Sequence, residues 1–185
     1  MDQTAPSVPA TVPDAPRVFA TCLYHYNCGD LVGNWFDAQG AEEVTLADVH
    51  RGQAPVTPEC EEIAVFDADC MAVNHEMDLV EAGKWGALYA EVGPDQWLAF
   101  CAWVGVRGIT DADDVVTSAF YDAYAGEWGS WRDYVESLAD ELSVFDALPA
   151  DLRSYIDMDR YGRDLAHGYT VEDRPCGGIF VFHDC

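Results

Sequence analysis

The sequence predicts an α+β protein of small sub-domains in series, and three observations carry that expectation. A β-rich run stands near the start, Val18-Phe19-Ala20-Thr21-Cys22-Leu23-Tyr24. Two segments of helical length and apolar periodicity follow in the middle, separated by Gly93-Pro94. The last third joins a strongly amphipathic helix to an apolar hairpin pattern. With 185 residues, half of them hydrophobic, and six Trp, nine Tyr and eight Phe, the chain has material for a packed core.

Residues 1–16 hold Pro6, Pro9, Pro13 and Pro16, with no basic stretch and no apolar run, and read as a flexible tail rather than a signal peptide. Residues 17–70 form the first expected sub-domain. Its strand Val18 to Tyr24 turns at Asn27-Cys28-Gly29-Asp30 into a second strand, Leu31 to Phe36. A short helix over Glu42 to His50, a loop from Gly52 to Pro58 and a strand Ile63 to Phe66 complete it. Residues 71–108 read as a helical sub-domain with helices Glu76 to Val92 and Asp95 to Arg107. Leu79, Trp85, Leu88, Tyr89, Trp97, Phe100 and Trp103 supply its packing faces.

Residues 109–185 make a third, α+β sub-domain. Thr110 is expected to cap a helix over Asp111 to Ser118, and Ala119 to Tyr124 reads as a strand. Helices are expected at Trp131 to Leu142, Leu152 to Tyr155 and Met158 to Ala166. A hairpin of Tyr169-Thr170-Val171 with Ile179 to Phe182 closes the chain across Pro175-Cys176-Gly177-Gly178. No stretch approaches the ~20 apolar residues of a membrane-spanning helix. Seven cysteines, an odd number in no disulfide-dense pattern, suit free thiols in a reducing cytoplasm.

Charge is the outlying property. Thirty-four Asp and Glu stand against nine Lys and Arg, a formal net charge of −25, and Lys84 is the only lysine. Residues 1–58 hold seven acids and two bases, residues 59–108 ten and two, and residues 109–185 seventeen and five. Such a surface repels nucleic acid and anionic membranes and attracts basic grooves. At one charge per ~1.7 Å of duplex, the excess corresponds to roughly 40 Å of DNA. Composition alone fits equally an acidic structural or interaction protein whose charge serves solubility or salt adaptation.

In the helix Trp131 to Leu142, Trp131, Tyr134, Val135, Leu138 and Leu142 fall on one stripe. Asp133, Glu136, Asp140 and Glu141 cluster on the opposite side, and Arg132 is the only base among them. Asp111 and Asp113, with Asp114 beside them, suit the first turn of a helix, and Asp157 suits the cap of the next.

Other chemistries find weaker support. Asp157-Met158-Asp159-Arg160-Tyr161-Gly162 begins like a calcium loop, but Tyr161 and Gly168 occupy positions that need oxygen ligands. Cys22-x-x-His25-x-x-Cys28, and the set Cys176, His183 and Cys185, suggest zinc. Within a strand, however, His25 points away from Cys22, so no metal or other cofactor is expected. No nucleophile elbow, phosphate loop, dinucleotide fingerprint or HExxH motif is present, and no catalytic residue is assigned.

Three stretches resemble the ArdA antirestriction family. The first runs from Pro16-Arg17-Val18-Phe19-Ala20-Thr21-Cys22-Leu23 through Tyr26-Asn27 and Gly29 to Gly33-Asn34-Trp35-Phe36-Asp37-Ala38. The second is Glu61-Glu62-Ile63-Ala64-Val65-Phe66-Asp67. The third runs from Leu148-Pro149 through Tyr155-Ile156-Asp157 to Gly162-Arg163-Asp164-Leu165, with Gly162 where the family usually has Ala. The proline-rich start and several cysteines depart from the family pattern.

The resemblance implies an elongated homodimer of small α+β units, without catalysis, whose carboxylates imitate DNA phosphates. The implied partner is the DNA-binding groove of a type I restriction–modification enzyme, on behalf of incoming mobile DNA. Asp133, Glu136, Asp140, Asp157, Asp159 and Asp164 are the first candidates for the mimic surface, joined by Asp111, Asp113, Asp114 and Glu141. Trp35, Trp131, Tyr155 and Leu165 are expected in the core or a dimer contact instead.

Overall fold

A computed structural model describes residues 15–149, 152 and 155–184. It is an α+β chain with two three-stranded antiparallel sheets, dividing into two compact units between Val115 and Val116. Residues 1–14 of the expected tail, and most of the expected helix Leu152 to Tyr155, lie outside the described residues.

In the first unit, β1 (Arg17–Cys22) is the central strand, with β2 (Gly33–Asp37) on one side and β3 (Ile63–Asp69) on the other. Val18, Ala20 and Cys22 alternate onto the buried face, as a half-buried strand requires. Pro16 is itself buried, and its carbonyl accepts from Ala38 N at 2.8 Å. Pro16, expected in the tail, is thus part of the packed first unit. The strand expected to reach Tyr24 ends at Cys22. The Leu23 amide makes its last cross-strand bond, to Glu62 O, and the backbone then coils into the short helix α1 (Leu23–Asn27).

The expected helix Glu42 to His50 is split into a 3-10 turn, Ala41–Glu43, and α2 (Leu46–Val49). Thr45 causes the break: its hydroxyl accepts from Asp48 N while the Asp48 carboxylate accepts from Thr45 N, a capping box that restarts the helix. The two middle helices, α3 (Leu79–Val92) and α4 (Trp97–Arg107), form and end where expected but start three and two residues later. Asp78 caps α3 through Glu81 N at 2.8 Å. Gly86 lets α3 press on the turn after β2, where a Cβ would meet Ala38 O at 2.5 Å. Trp85, Trp97, Phe100 and Trp103 are buried.

Two expectations fail between residues 111 and 124. Asp111 and not Thr110 is the cap, accepting from Asp113 N at 2.9 Å, and it starts only the 3-10 turn Ala112–Asp114. The β-branched pair Val115 and Val116 is then extended, and α5 (Thr117–Ala123) replaces most of the expected strand. Phe120 and Ala123 are buried three residues apart on one helical face. The strand β4 begins only at Tyr124 (Tyr124–Trp128).

In the second unit, β6 (Ile179–His183) lies between β4 and β5 (Tyr169–Asp173). Gly177 and Gly178, at φ +92° and +88°, turn β5 into β6. Ile179 to Phe182 are all buried, and the strand is covered on both faces, which explains its unbroken apolar run. Ile179 and Val181 pack with Tyr134 and Val135 of α6 (Trp131–Glu141), while Phe182 meets Tyr124 on the other face. The last helix, α7 (Met158–Leu165), packs on α6. Leu142, expected in the α6 stripe, stands just past the helix and is 63% exposed.

Candidate functional site

All ten acids anticipated for partner binding are exposed. They differ in what their carboxylates already hold. Asp111 and Asp157 are caps, accepting from Asp113 N and Arg160 N at 2.9 Å each. Asp133 takes part in the start of α6, where the Ser130 hydroxyl donates to its Oδ2 at 2.8 Å and accepts from its amide at 3.2 Å. Exposed carboxylates in these first turns also sit at the positive end of the helix dipole.

Three others are paired. Asp113 takes the only lysine, Lys84, whose pKa is raised chiefly by that hydrogen bond. Arg132 reaches Glu136 Oε1 at 2.7 Å and Asp159 Oδ1 at 3.1 Å, so one guanidinium joins the acidic faces of α6 and α7. Asp114, Asp140, Glu141 and Asp164 make no ion pair with a described residue. The surface formed by α6 and α7 is therefore acidic, incompletely neutralised and held on regular helices. It suits electrostatic binding of a basic partner.

The four aromatic and apolar residues expected in the core or a dimer contact divide into two pairs. Trp131 is partly buried against Tyr134 and Tyr169, and Leu165 packs into the same cluster. Tyr155, by contrast, is 84% exposed, and Trp35 is 44% exposed beneath the Arg17 guanidinium. Neither belongs to the core of this chain.

The fold also assembles a group that sequence reasoning missed. Because β1 ends at Cys22 and α1 curls back, His25 Nδ1 lies 3.5 Å from Cys22 Sγ, which corrects the expectation that the two diverge. His50 and Cys60 complete a set whose ligand atoms lie within 4.8 Å of one another. Cys28, which the sequence spacing had favoured, is exposed and outside it.

Fold and surface together define a small, strongly acidic α+β protein whose exposed carboxylates outnumber their counter-charges. A family model described as Antirestriction protein (ArdA) matches residues 18–176, and the chain belongs to that family. ArdA is a non-catalytic antirestriction family that inhibits restriction–modification enzymes. No curated protein sequence gives a significant match. No helix among the described residues is long and apolar enough to cross a membrane.

Proposed function

We propose that this protein acts as a DNA mimic: its carboxylates occupy the DNA-binding groove of a type I restriction–modification enzyme and exclude the substrate. The observation that carries the reading is the exposure of all ten anticipated acids in a chain of net charge −25 that belongs to an antirestriction family. A groove built to hold phosphates offers Arg and Lys at fixed spacing, and exposed carboxylates meet them with the negative charge that phosphates carry. Inhibition is then competitive with DNA and involves no bond chemistry. The active form is a homodimer, with exposed Trp35 and Tyr155 as candidates for its contact.

A second reading keeps the fold and drops the mimicry: the charge serves solubility. The spread of exposed acids over the first unit, among them Asp30, Asp37, Glu42, Glu43, Glu61, Glu62 and Asp67, favours it. A type I restriction assay with the purified protein, repeated across a salt series, separates the two. Mimicry predicts inhibition that added DNA competes away and that weakens as salt shortens the screening length below about 8 Å. A folded protein that leaves several type I enzymes untouched at low salt would reduce the acidity to adaptation.

A further inference from the structure

Four side chains from separate places in the first unit converge beside the core. Cys22 ends β1, His25 rides on α1, His50 follows α2, and Cys60 stands just before β3. Cys22, His50 and Cys60 are buried, and His25 is partly so. Their ligand atoms lie within 4.8 Å of one another. His25 Nδ1 is 3.5 Å from Cys22 Sγ and 3.6 Å from Cys60 Sγ. Tetrahedral zinc, with bonds of about 2.3 Å to sulfur and about 2.0–2.1 Å to nitrogen, sets sulfur-to-nitrogen edges of about 3.5–3.6 Å.

A second observation is independent of those distances. The His50 ring is 3% exposed, and its Nε2 is buried without a hydrogen-bond partner. The other nitrogen, Nδ1, lies 3.2 Å from Ala54 O. A carbonyl can only accept, so Nδ1 carries the proton and Nε2 is left with a bare lone pair. Buried acceptors are rarely left unsatisfied. A carbonyl on the far nitrogen is also the usual support of a metal-binding histidine, since it fixes the tautomer and the ring plane.

We propose that Cys22, His25, His50 and Cys60 form a structural zinc site, bound through the two sulfurs, His25 Nδ1 and His50 Nε2. Two thiolates and two imidazoles suit zinc, and the set offers no oxygen ligand for calcium or magnesium. Two thiolates balance the charge of the ion, so the occupied site is neutral and tolerates burial. Both thiol protons leave for solvent on binding. Four protein ligands fill a tetrahedron and leave no open position, which makes the site structural rather than catalytic. His50 and Cys60 lie within or beside the irregular segment from Arg51 to Glu62, and zinc would pin that segment to the end of β1.

The full chain, purified under reducing conditions and dialysed to strip ions from its surface carboxylates, is expected to retain about one zinc per chain. Cobalt titrated into the metal-free chain should give thiolate charge-transfer bands and the intense visible absorption of a tetrahedral site. Cys60→Ser and His50→Gln should lose both the retained zinc and the spectrum, while Cys28→Ser keeps them. Chelation should lower the Tm of the wild-type chain, a readout that needs no variant to fold. A reduced, folded wild-type chain that binds neither metal tightly overturns the proposal. Equal binding by the His50 and Cys60 variants does so too, by assigning the metal to surface acids. A Cys22–Cys60 disulfide in protein alkylated at cell lysis would also overturn it.

Discussion

The indole Nε1 of Trp131 donates to the backbone carbonyl of Gly162 at 3.1 Å, tying the first residue of α6 to the middle of α7. The packing around that bond is tight, since a Cβ on Gly162 would come within 3.3 Å of the same nitrogen and 3.4 Å of Val135. The two acidic helices are thus registered by a hydrogen bond and a close contact, in addition to the shared Arg132. Trp131→Phe keeps an aromatic ring and removes the donor, while the Gly162 carbonyl keeps its helical bond from Ala166 N. Its expected cost is about 0.5–1.5 kcal/mol in urea unfolding. A variant as stable as wild type would show that the bond does not hold α6 to α7.

Gly86 has a harder steric role. A Cβ there would meet Gln39 N at 2.2 Å and Ala38 C at 2.3 Å, backbone atoms that cannot rotate away. Gly86→Ala should therefore destabilise the first unit by about 1–3 kcal/mol, the range of an overpacked core. Gly105, on α4, faces open space: a Cβ there would have nothing within 4 Å. Gly105→Ala should be neutral or stabilising by up to about 1 kcal/mol, from helix propensity alone. Thermal unfolding of the pair tests whether space or propensity decides.

What could be read from the sequence follows the same physics. The helix at Trp131 and the hairpin at Gly177-Gly178 were legible because apolar residues fall on one face of the first and glycines mark the turn of the second. The segment Ala119 to Tyr124 was misread because its aromatic residues suit a strand, while Phe120 and Ala123 are buried at helical spacing. Exposure of the acids followed from their placement opposite the α6 stripe. The cysteine and histidine cluster was not legible. Cys22 and His25 stand three apart, but His50 and Cys60 lie 25 and 35 residues beyond His25, and His25 reaches Cys22 only because β1 stops where the Leu23 amide makes its last strand bond.

Thr45 and Asp48 give a pH-dependent term of known sign. The Asp48 carboxyl is held below its usual pKa first by the Thr45 hydroxyl and then by the Thr45 amide; desolvation opposes this and Arg51 adds to it. A depressed folded pKa contributes stability above the unfolded value of about 3.9, and that contribution disappears as pH falls through the lower folded value. Thr45→Ala changes no charge and removes the hydroxyl. Its Tm deficit should be largest near neutrality and smaller at acid pH, without vanishing, because the lost bond to Asp48 N does not titrate. A deficit that grows on acidification contradicts the assignment.

Arg132 is the counter-charge that Glu136 and Asp159 share, and all three side chains are well exposed. Exposed pairs of this kind are screened by solvent and contribute little, so Arg132→Ala should fold with little loss of stability. It also frees two carboxylates on the α6 and α7 surface. If that surface meets a basic groove, inhibition at low salt should be kept or strengthened. A large loss of inhibition by a stably folded variant would make the guanidinium itself a contact, which a phosphate mimic does not require.

Distributed electrostatics makes its sharpest prediction for Asp114, Asp140, Glu141 and Asp164, which no described base neutralises. Each exposed charge is worth about 0.2–1 kcal/mol against a basic partner, so a single change such as Asp140→Asn should weaken inhibition by only about 1.5- to 5-fold. The combined variant Asp114→Asn, Asp140→Asn, Glu141→Gln and Asp164→Asn should lose at least about 5-fold, the product of four losses at the lower bound. It should fold at least as well as wild type, since removing like charges relieves self-repulsion. The slope of inhibition against salt should fall with it. Titrating the four single variants and the combined one in the same restriction assay distinguishes the cases: one dominant residue marks a specific contact, and a graded loss marks a surface read as charge density.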